Sequence, residues 1–269
     1  MLLRLDDVHS QMTAHCPVNY TNDFCSLAFH VRNLPGILFG GESILNRARR
    51  DHSLPGEAAE FLLAAQTELT SILRFNPKEG CGTPIRSHQL RVESSQSQQV
   101  YPKRIDIHIS IVQGTVFIVW LLVQIKLLSC MAKVARLATS QSFNEDSEMQ
   151  SEALKYENAI RELVDDICAS VPYFLRPKDP ESLLKYFPHS PGTISVPINP
   201  GPELISSMSQ LMLPLYRASE VEYAPRSQRQ WLQQYMTVLT RDPENFQRAQ
   251  RLELDNGMCF RHDSAFISC

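Results

Sequence analysis

The sequence predicts an all-α protein, an irregular multi-helix domain of packed antiparallel helices with two long loops. Three observations carry this expectation. Apolar residues recur at helical spacing through Glu57–Leu73, Ser147–Val171 and Arg226–Thr240, a period that lines one face of an α-helix. Strict apolar–polar alternation appears only in Ile105–Ile111, the run Ile-Asp-Ile-His-Ile-Ser-Ile, where a strand competes with helix. Prolines gather between residues 172 and 202, which hold eight of the 17, a density that excludes regular helix across the whole stretch.

Taken in order, residues 1–33 show no clean period and read as partly helical. Leu34-Pro-Gly36 is a break, and Glu42–Arg49 is a short helix with Ile44, Leu45 and Ala48 on one face. After Pro55-Gly56, Glu57–Leu73 places apolar residues at 58, 61, 62, 65, 69, 72 and 73. Glu57 and Glu60 sit in its first turn, where the helix dipole favours acids. Residues 77–100 hold Gly, Pro, Ser and Gln with few large apolar groups and read as the first long loop. Ser147-x-x-Gln150 has the capping-box pattern ahead of Leu154, Ile160, Leu163, Val164, Ile167 and Val171, and Pro172 should end that helix. Glu157 and Arg161, four residues apart, form a favourable pair. Residues 172–202 are the second long loop. Glu203–Ala218 follows, kinked at Pro214. Arg226–Thr240 then opens behind Pro225 with Trp231, Leu232, Tyr235 and Leu239 inward. Asp242-Pro243 restarts a helix through about Leu252. Residues 1–254 therefore form a single helical domain, and 255–269 read as a disordered tail.

The segment after Ile105 requires a decision. No charged residue occurs from Ile109 to Ile125, and a window of about 19 residues would be flagged as a membrane span. Gln113, Gly114, Thr115 and Gln124 interrupt the run, and Lys126 closes it after about 17 residues, near the lower limit for spanning. The polar positions make no consistent stripe, so the helix is expected to be buried on most of its surface, with Val116–Leu128, Val119 and Leu122 included, inside protein. A single span or membrane association through Ile109–Ile125 remains the alternative.

Composition narrows the function classes. With 43% hydrophobic residues the chain can fill a core. Its net charge of −3 supplies no global field towards DNA or anionic lipid. The basic clusters Arg47/Arg49/Arg50 and Arg226/Arg229 are small enough to be solvated helix ends. Seven cysteines, at 16, 25, 81, 130, 168, 259 and 269, include no closely spaced pair, which points to reduced thiols rather than a disulfide framework. Asp6 and Asp7 stand where a signal peptide needs its apolar stretch. No metal site is expected: His9, His15, Cys16, Cys25 and His30 have irregular spacing, and Cys259-x2-His262 is a half-site. No catalytic residue is expected either. Nucleophile elbows, thiol-protease contexts and His-Glu-x-x-His are absent. Gly40-Gly41 lacks the rest of a phosphate loop, so no cofactor-binding residue and no cofactor are expected. The neighbouring acids Asp165 and Asp166 point about 100° apart on a helix, and an Arg partner is the simplest account of them.

Several stretches resemble a known family. Asp166-Ile-Cys-Ala-Ser-Val-Pro-Tyr173, within Arg161–Leu175, looks like the (D/E)ICASVPY signature of the fungal-specific transcription factor domain, the helical regulatory region downstream of a binuclear zinc cluster. Tyr101-Pro-Lys-Arg-Ile-Asp-Ile-His108 and the apolar run after it resemble that family's YPxRID turn into a core helix. Leu34-Pro-Gly-Ile-Leu-Phe-Gly-Gly41 and Glu57–Leu73 are similar to its middle segment, and Met212-Leu-Pro-Leu-Tyr216 with Arg226–Met236 to its close. The likeness covers most of residues 30–250, and its motifs describe packing rather than chemistry. It implies a non-enzymatic regulatory domain acting in the nucleus. Its partners would be the transcription machinery, a full-length regulator or an effector. The closely spaced cysteines of a zinc cluster are missing, so no direct sequence-specific DNA binding is expected. A truncated gene model, a relative that lost the cluster and a partner of a full-length regulator all fit. Cytoplasmic and membrane locations stay open beside the nucleus.

The purified chain is expected to bind neither zinc stoichiometrically nor DNA sequence-specifically, since zinc needs about four convergent ligands and specific binding needs cations for several phosphates. Metal analysis showing one or more zinc per chain, or a salt-resistant shift of a defined site over random competitor, would contradict this.

Overall fold

The computed structural model describes residues 25–48, 55–75, 86–89, 104–108, 110–141, 147–175, 211–212 and 214–240. Of these, 87% are helical, and the architecture is all-α. The longer helices are α1 (Leu34–Ala48), α2 (Pro55–Arg74), α3 (Ile111–Gln141), α4 (Ser147–Leu175) and α5 (Arg226–Thr240). Short helical stretches lie at 25–30 and 214–219. A two-stranded antiparallel hairpin, β1 (Arg86–Gln89) and β2 (Arg104–Ile107), attaches to them, with Ser87 opposite Asp106 and His88 opposite Ile105.

Helix α3 is the centre. Val116, Phe117, Ile118, Trp120, Leu121, Ile125, Leu127, Leu128, Met131, Val134 and Ala135 are buried, which covers rather more than half of the helix circumference, while Val119, Leu122, Lys126 and Lys133 lie on the less covered side. It packs against α4, α2 and α1. Cross-contacts give the directions. The start of α3 meets the end of α4 through His108 and Phe117 against Tyr173 and Phe174, whereas its far end meets the start of α4 where Arg136 Nε donates to Glu157 at 2.5 Å. The pair is antiparallel. Likewise α1 and α2 are antiparallel, with Arg47 paired to Glu57 and Asn33 Nδ2 donating to Glu68 at 3.3 Å. Trp120 Nε1 donates to the Ile72 carbonyl at 3.0 Å, which satisfies one of the last-turn carbonyls that α2 cannot bond internally.

Polar residues within α3 are compatible with this burial because they bond back to the helix. Gln124 Nε2 donates to the Trp120 carbonyl at 3.2 Å and Thr115 Oγ1 to that of Ile111 at 2.9 Å. The helix is long and apolar enough to cross a membrane by length and composition, and 67% of its most apolar stretch is buried inside the protein. Val119 and Leu122 are only half-buried, so the fully enclosed positions lie beside them, at Phe117, Ile118 and Leu121.

Several boundaries differ from those the sequence suggests. Leu34-Pro-Gly36 starts a helix instead of breaking one, because Pro35 falls in the first turn, where its missing N–H is not needed. Pro55 opens α2 for the same reason. The stretch 77–100 contains a strand, β1, and the alternation in Ile105–Ile111 is realised as a strand over Arg104–Ile107. Ser110 ends it: its Oγ accepts the Gln113 N–H at 3.1 Å, a side-chain cap that starts α3. Pro172 does not end α4, which continues to Leu175. The proline forfeits one backbone bond, but Tyr173 and Phe174 beyond it are buried, and their burial holds the last turn in helix. Leu154 and Leu73, read as inward, are exposed, while Ala153 and Tyr156 face the core instead. Glu157 turns to Arg136 on α3 rather than to Arg161. Residues 203–210, Asp242–Leu252 and 255–269 lie outside the described residues.

Two adjacent glycines in α1 have opposite roles. A Cβ on Gly41 would stand 2.3 Å from Cys130 Sγ and 2.8 Å from the Phe61 ring, so α1 sits close to α3 only because that position carries no side chain. Nothing lies within 4 Å of a Cβ built on Gly40. Gly40→Ala is therefore expected to raise stability by about 0.5–1 kcal/mol through helix propensity. Gly41→Ala should lose about 1–3 kcal/mol through overpacking. Equal denaturation midpoints for the two variants would contradict the packing. A lysine at Leu121, which is wholly enclosed, should cost about 4 kcal/mol or more by burying an unpaired charge. A Leu121→Lys chain with an unchanged melting temperature would place this face outside the core.

Candidate functional site

The densest polar cluster among the described residues lies where the hairpin meets α4. On a strand, residues two apart share a face, so Arg104 and Asp106 stand side by side on β2. Arg104 Nε donates to Asp106 Oδ1 at 3.1 Å and Nη2 to Oδ2 at 3.3 Å, a two-pronged contact. Nη2 also donates to Asp166 on α4. From the opposite strand, Ser87 Oγ donates to Asp106 Oδ1 at 2.6 Å, the cross-strand partner that the register dictates. One guanidinium therefore joins two carboxylates from distant parts of the chain. Burial works against the Arg104 charge, but hydrogen bonds and attraction from Asp106 and Asp166 outweigh it and hold its pKa above the usual arginine value.

Asp165, one residue back, faces another element. Gln228 Nε2 on α5 donates to it. The two acids diverge as the helix geometry requires: Asp166 binds the hairpin's arginine and Asp165 a side chain of α5. The expected Arg partner is present for Asp166, and it comes from Arg104. Arg161 hydrogen-bonds the Tyr223 carbonyl at 3.1 Å and Asn158 Oδ1 at 2.9 Å.

An aromatic group stands behind this polar junction. The buried His108 ring lies 5.3 Å from Tyr173, 5.4 Å from Phe117 and 6.3 Å from Phe174. A Cβ on Gly114 would meet Phe174 at 2.8 Å and His108 at 3.2 Å, so the first turn of α3 carries a glycine where these rings crowd against it. Arg104, Asp106 and His108 from one stretch thus meet Asp166, Tyr173 and Phe174 from another.

Chemically the junction is built to hold elements together. Burial pushes the Cys130 thiol up to about 11 and the Cys168 thiol higher, which keeps both protonated and poor as nucleophiles. Of the N-terminal His and Cys residues, His9, His15 and Cys16 lie outside the described residues. Cys25 is half-buried, and His30 Nδ1 lies 3.5 Å from Ser71 Oγ with its ring against Phe29 and Phe75. Among the described residues no group of three or more His, Cys, Asp or Glu side chains is placed to hold a metal ion. Gly40 and Gly41 are inside a helix and form no loop. Arg47 is engaged by Glu57, Arg226 is exposed, and Arg229 is half-buried; Arg49, Arg50, Cys259 and His262 lie outside the described residues. Arg104 does not stand out in the sequence as a site residue; its signal there is the spacing to Asp106, two residues on in an alternating run.

No protein-family model matches the chain, no curated protein matches it, and no solved structure matches it.

Arg104→Met removes the guanidinium that both carboxylates share and should destabilise the protein by about 3 kcal/mol, as breaking a largely buried ion pair does. Adding Asp106→Asn and Asp166→Asn to that variant should recover part of the loss. Equal stability of Arg104→Met and wild type by urea denaturation would show that the junction carries no weight.

Proposed function

We propose that this chain is a regulatory domain of the type found in fungal transcription factors, acting in the nucleus through contacts with protein partners or an effector. One observation carries the reading. The two motifs that most resemble that family, Tyr101–His108 and Asp166–Tyr173, lie about 60 residues apart in sequence and meet through Arg104–Asp166 and His108–Tyr173. Motifs that describe packing should pack on each other, and these do. The all-helical architecture supports the same reading. Catalysis has no part in it, and neither does direct base recognition. The transcription machinery and a full-length regulator carrying its own DNA-binding module are the partners it implies.

The test is a fusion of the whole chain to an unrelated DNA-binding module in a fungal host, with transcription read from a reporter carrying that module's site. Transcription should rise or fall relative to the module alone. An unchanged reporter, with the fusion present in the nucleus, would overturn the proposal.

The length and apolar composition of α3 favour a second reading, in which Ile109–Ile125 enters a membrane. Its burial against α1, α2 and α4 argues for the protein interior instead. Carbonate extraction separates the two: the chain should appear in the supernatant, and retention in the membrane pellet would establish the span.

A further inference from the structure

We infer that α5 is a flap that opens from α4 as a unit while α3 and α4 stay packed. Tyr223 and Gln228 meet Arg161 and Asp165 in that order, and Cys168 follows on the same face of α4, one turn beyond Asp165, so α5 and the turn before it lie against the last half of α4. The apolar part of the seat is Trp231, Leu232 and Tyr235, all buried, with the Trp231 and Tyr235 rings 4.6 Å apart. On the face of α4 that carries Asp165, Cys168 is completely covered.

The polar part of this seat is poorly met. Gln228 Oε1, Arg229 Nε and Tyr235 Oη on α5 are buried without a hydrogen-bond partner, and so is Arg217 Nε on the short helix before it. The Gln228 amide cannot turn to help, because its Nε2 is already directed at Asp165. Burial drives the Tyr235 phenol well above its usual pKa, with Cys168 adding to the effect, so ionisation offers no relief. A buried polar atom without a partner loses its hydration and gains nothing in return. Water meets the three α5 atoms once α5 lifts, which lowers the free energy of the open form relative to the closed one.

The α3–α4 seam is far more extensive than the α4–α5 seam. It is joined at one end by Arg136–Glu157 and at the other by the His108 aromatic group, with a continuous apolar core between. Opening of α5 is therefore local, in the way that weakly held elements open below the global unfolding free energy. It uncovers Cys168 and the Trp231–Tyr235 face together. The flap is a property of the packing and does not depend on the transcriptional reading.

Labelling of the full-length chain with a maleimide under native conditions, read cysteine by cysteine through peptide mass spectrometry, tests this. Cys130, buried between α3, Gly41 and Phe61, reports global unfolding. Static burial alone would make Cys168 the slower of the two, since it is the more completely covered. The flap makes it the faster. Tyr235→Phe removes one unmet atom without changing shape and should slow Cys168 by about tenfold, equivalent to about 1.4 kcal/mol, while leaving Cys130 unchanged. Gln228→Glu sets a carboxylate against Asp165 and should speed Cys168 alone. Should that variant unfold the chain, both cysteines label together and Tyr235→Phe decides. Equal labelling rates for Cys168 and Cys130 in wild type, or no slowing by Tyr235→Phe, would overturn the flap.

Discussion

The burial of α3 is the constraint on which the other elements depend. From Ile109 to Ile125 the chain carries no charge, and a helix that is apolar all round has no face to offer water. Most of its surface must be covered, and α1, α2 and α4 cover it, leaving Val119 and Leu122 half-buried. Each neighbour solves the contact differently. Helix α1 approaches through Gly41, where any side chain would collide with Cys130. Helix α2 contributes Phe61, Leu62, Ala65 and Ile72 and accepts a hydrogen bond from Trp120 at its end. Helix α4 runs antiparallel along α3, giving Ile160, Val164, Ile167 and Val171 to the core.

Burying α3 creates a second requirement at its start. The chain enters the core through β2, and a strand beside a helical core leaves polar side chains close to apolar surroundings. Asp106 is nearly inaccessible. A carboxylate in such a place is costly unless it is charge-paired and hydrogen-bonded. Arg104 and Ser87 supply both. The remaining reach of the guanidinium goes to Asp166, so the ion pair that makes Asp106 tolerable also ties the hairpin to α4. The same local solution fixes the relation between two distant stretches of chain. This is why Arg104–His108 and Asp166–Tyr173 read as packing signals: Arg104, Asp106 and Asp166 hold position, and His108 and Tyr173 fill the space at the α3 entrance.

Contacts around α5 are of another kind. The seat of α5 leaves Gln228, Arg229 and Tyr235 each with an unmet buried atom, and its seam with α4 is far smaller than the seam between α3 and α4. A domain that acts through its surfaces gains from one weakly held element, because a partner can exchange with it at modest cost while the core stays intact. The proposed regulatory role and the mobile flap are compatible on this ground, although each stands on separate observations.

The sequence by itself determined the helical class and the main helices, since a 3.6-residue apolar period is a local property of the chain. Arg226–Thr240 was legible to the residue, and the burial of most of Val116–Leu128 followed from its apolar character, although Val119 and Leu122 are only half-buried. Two outcomes were beyond local reading. Pro172 and Pro35 look like helix breakers, yet helix continues past the first because Tyr173 and Phe174 are drawn into the core, and includes the second because it falls in a first turn. The strand β1 carries few apolar residues and forms because β2 lies beside it. The junction was only half-visible: the acids Asp165 and Asp166 and their need for a partner could be read, but the partners Arg104 and Gln228 lie about 60 residues away in either direction. Which groups satisfy a buried charge is decided by the folded arrangement, because hydrogen bonds act over about 3 Å of space and are indifferent to distance along the chain.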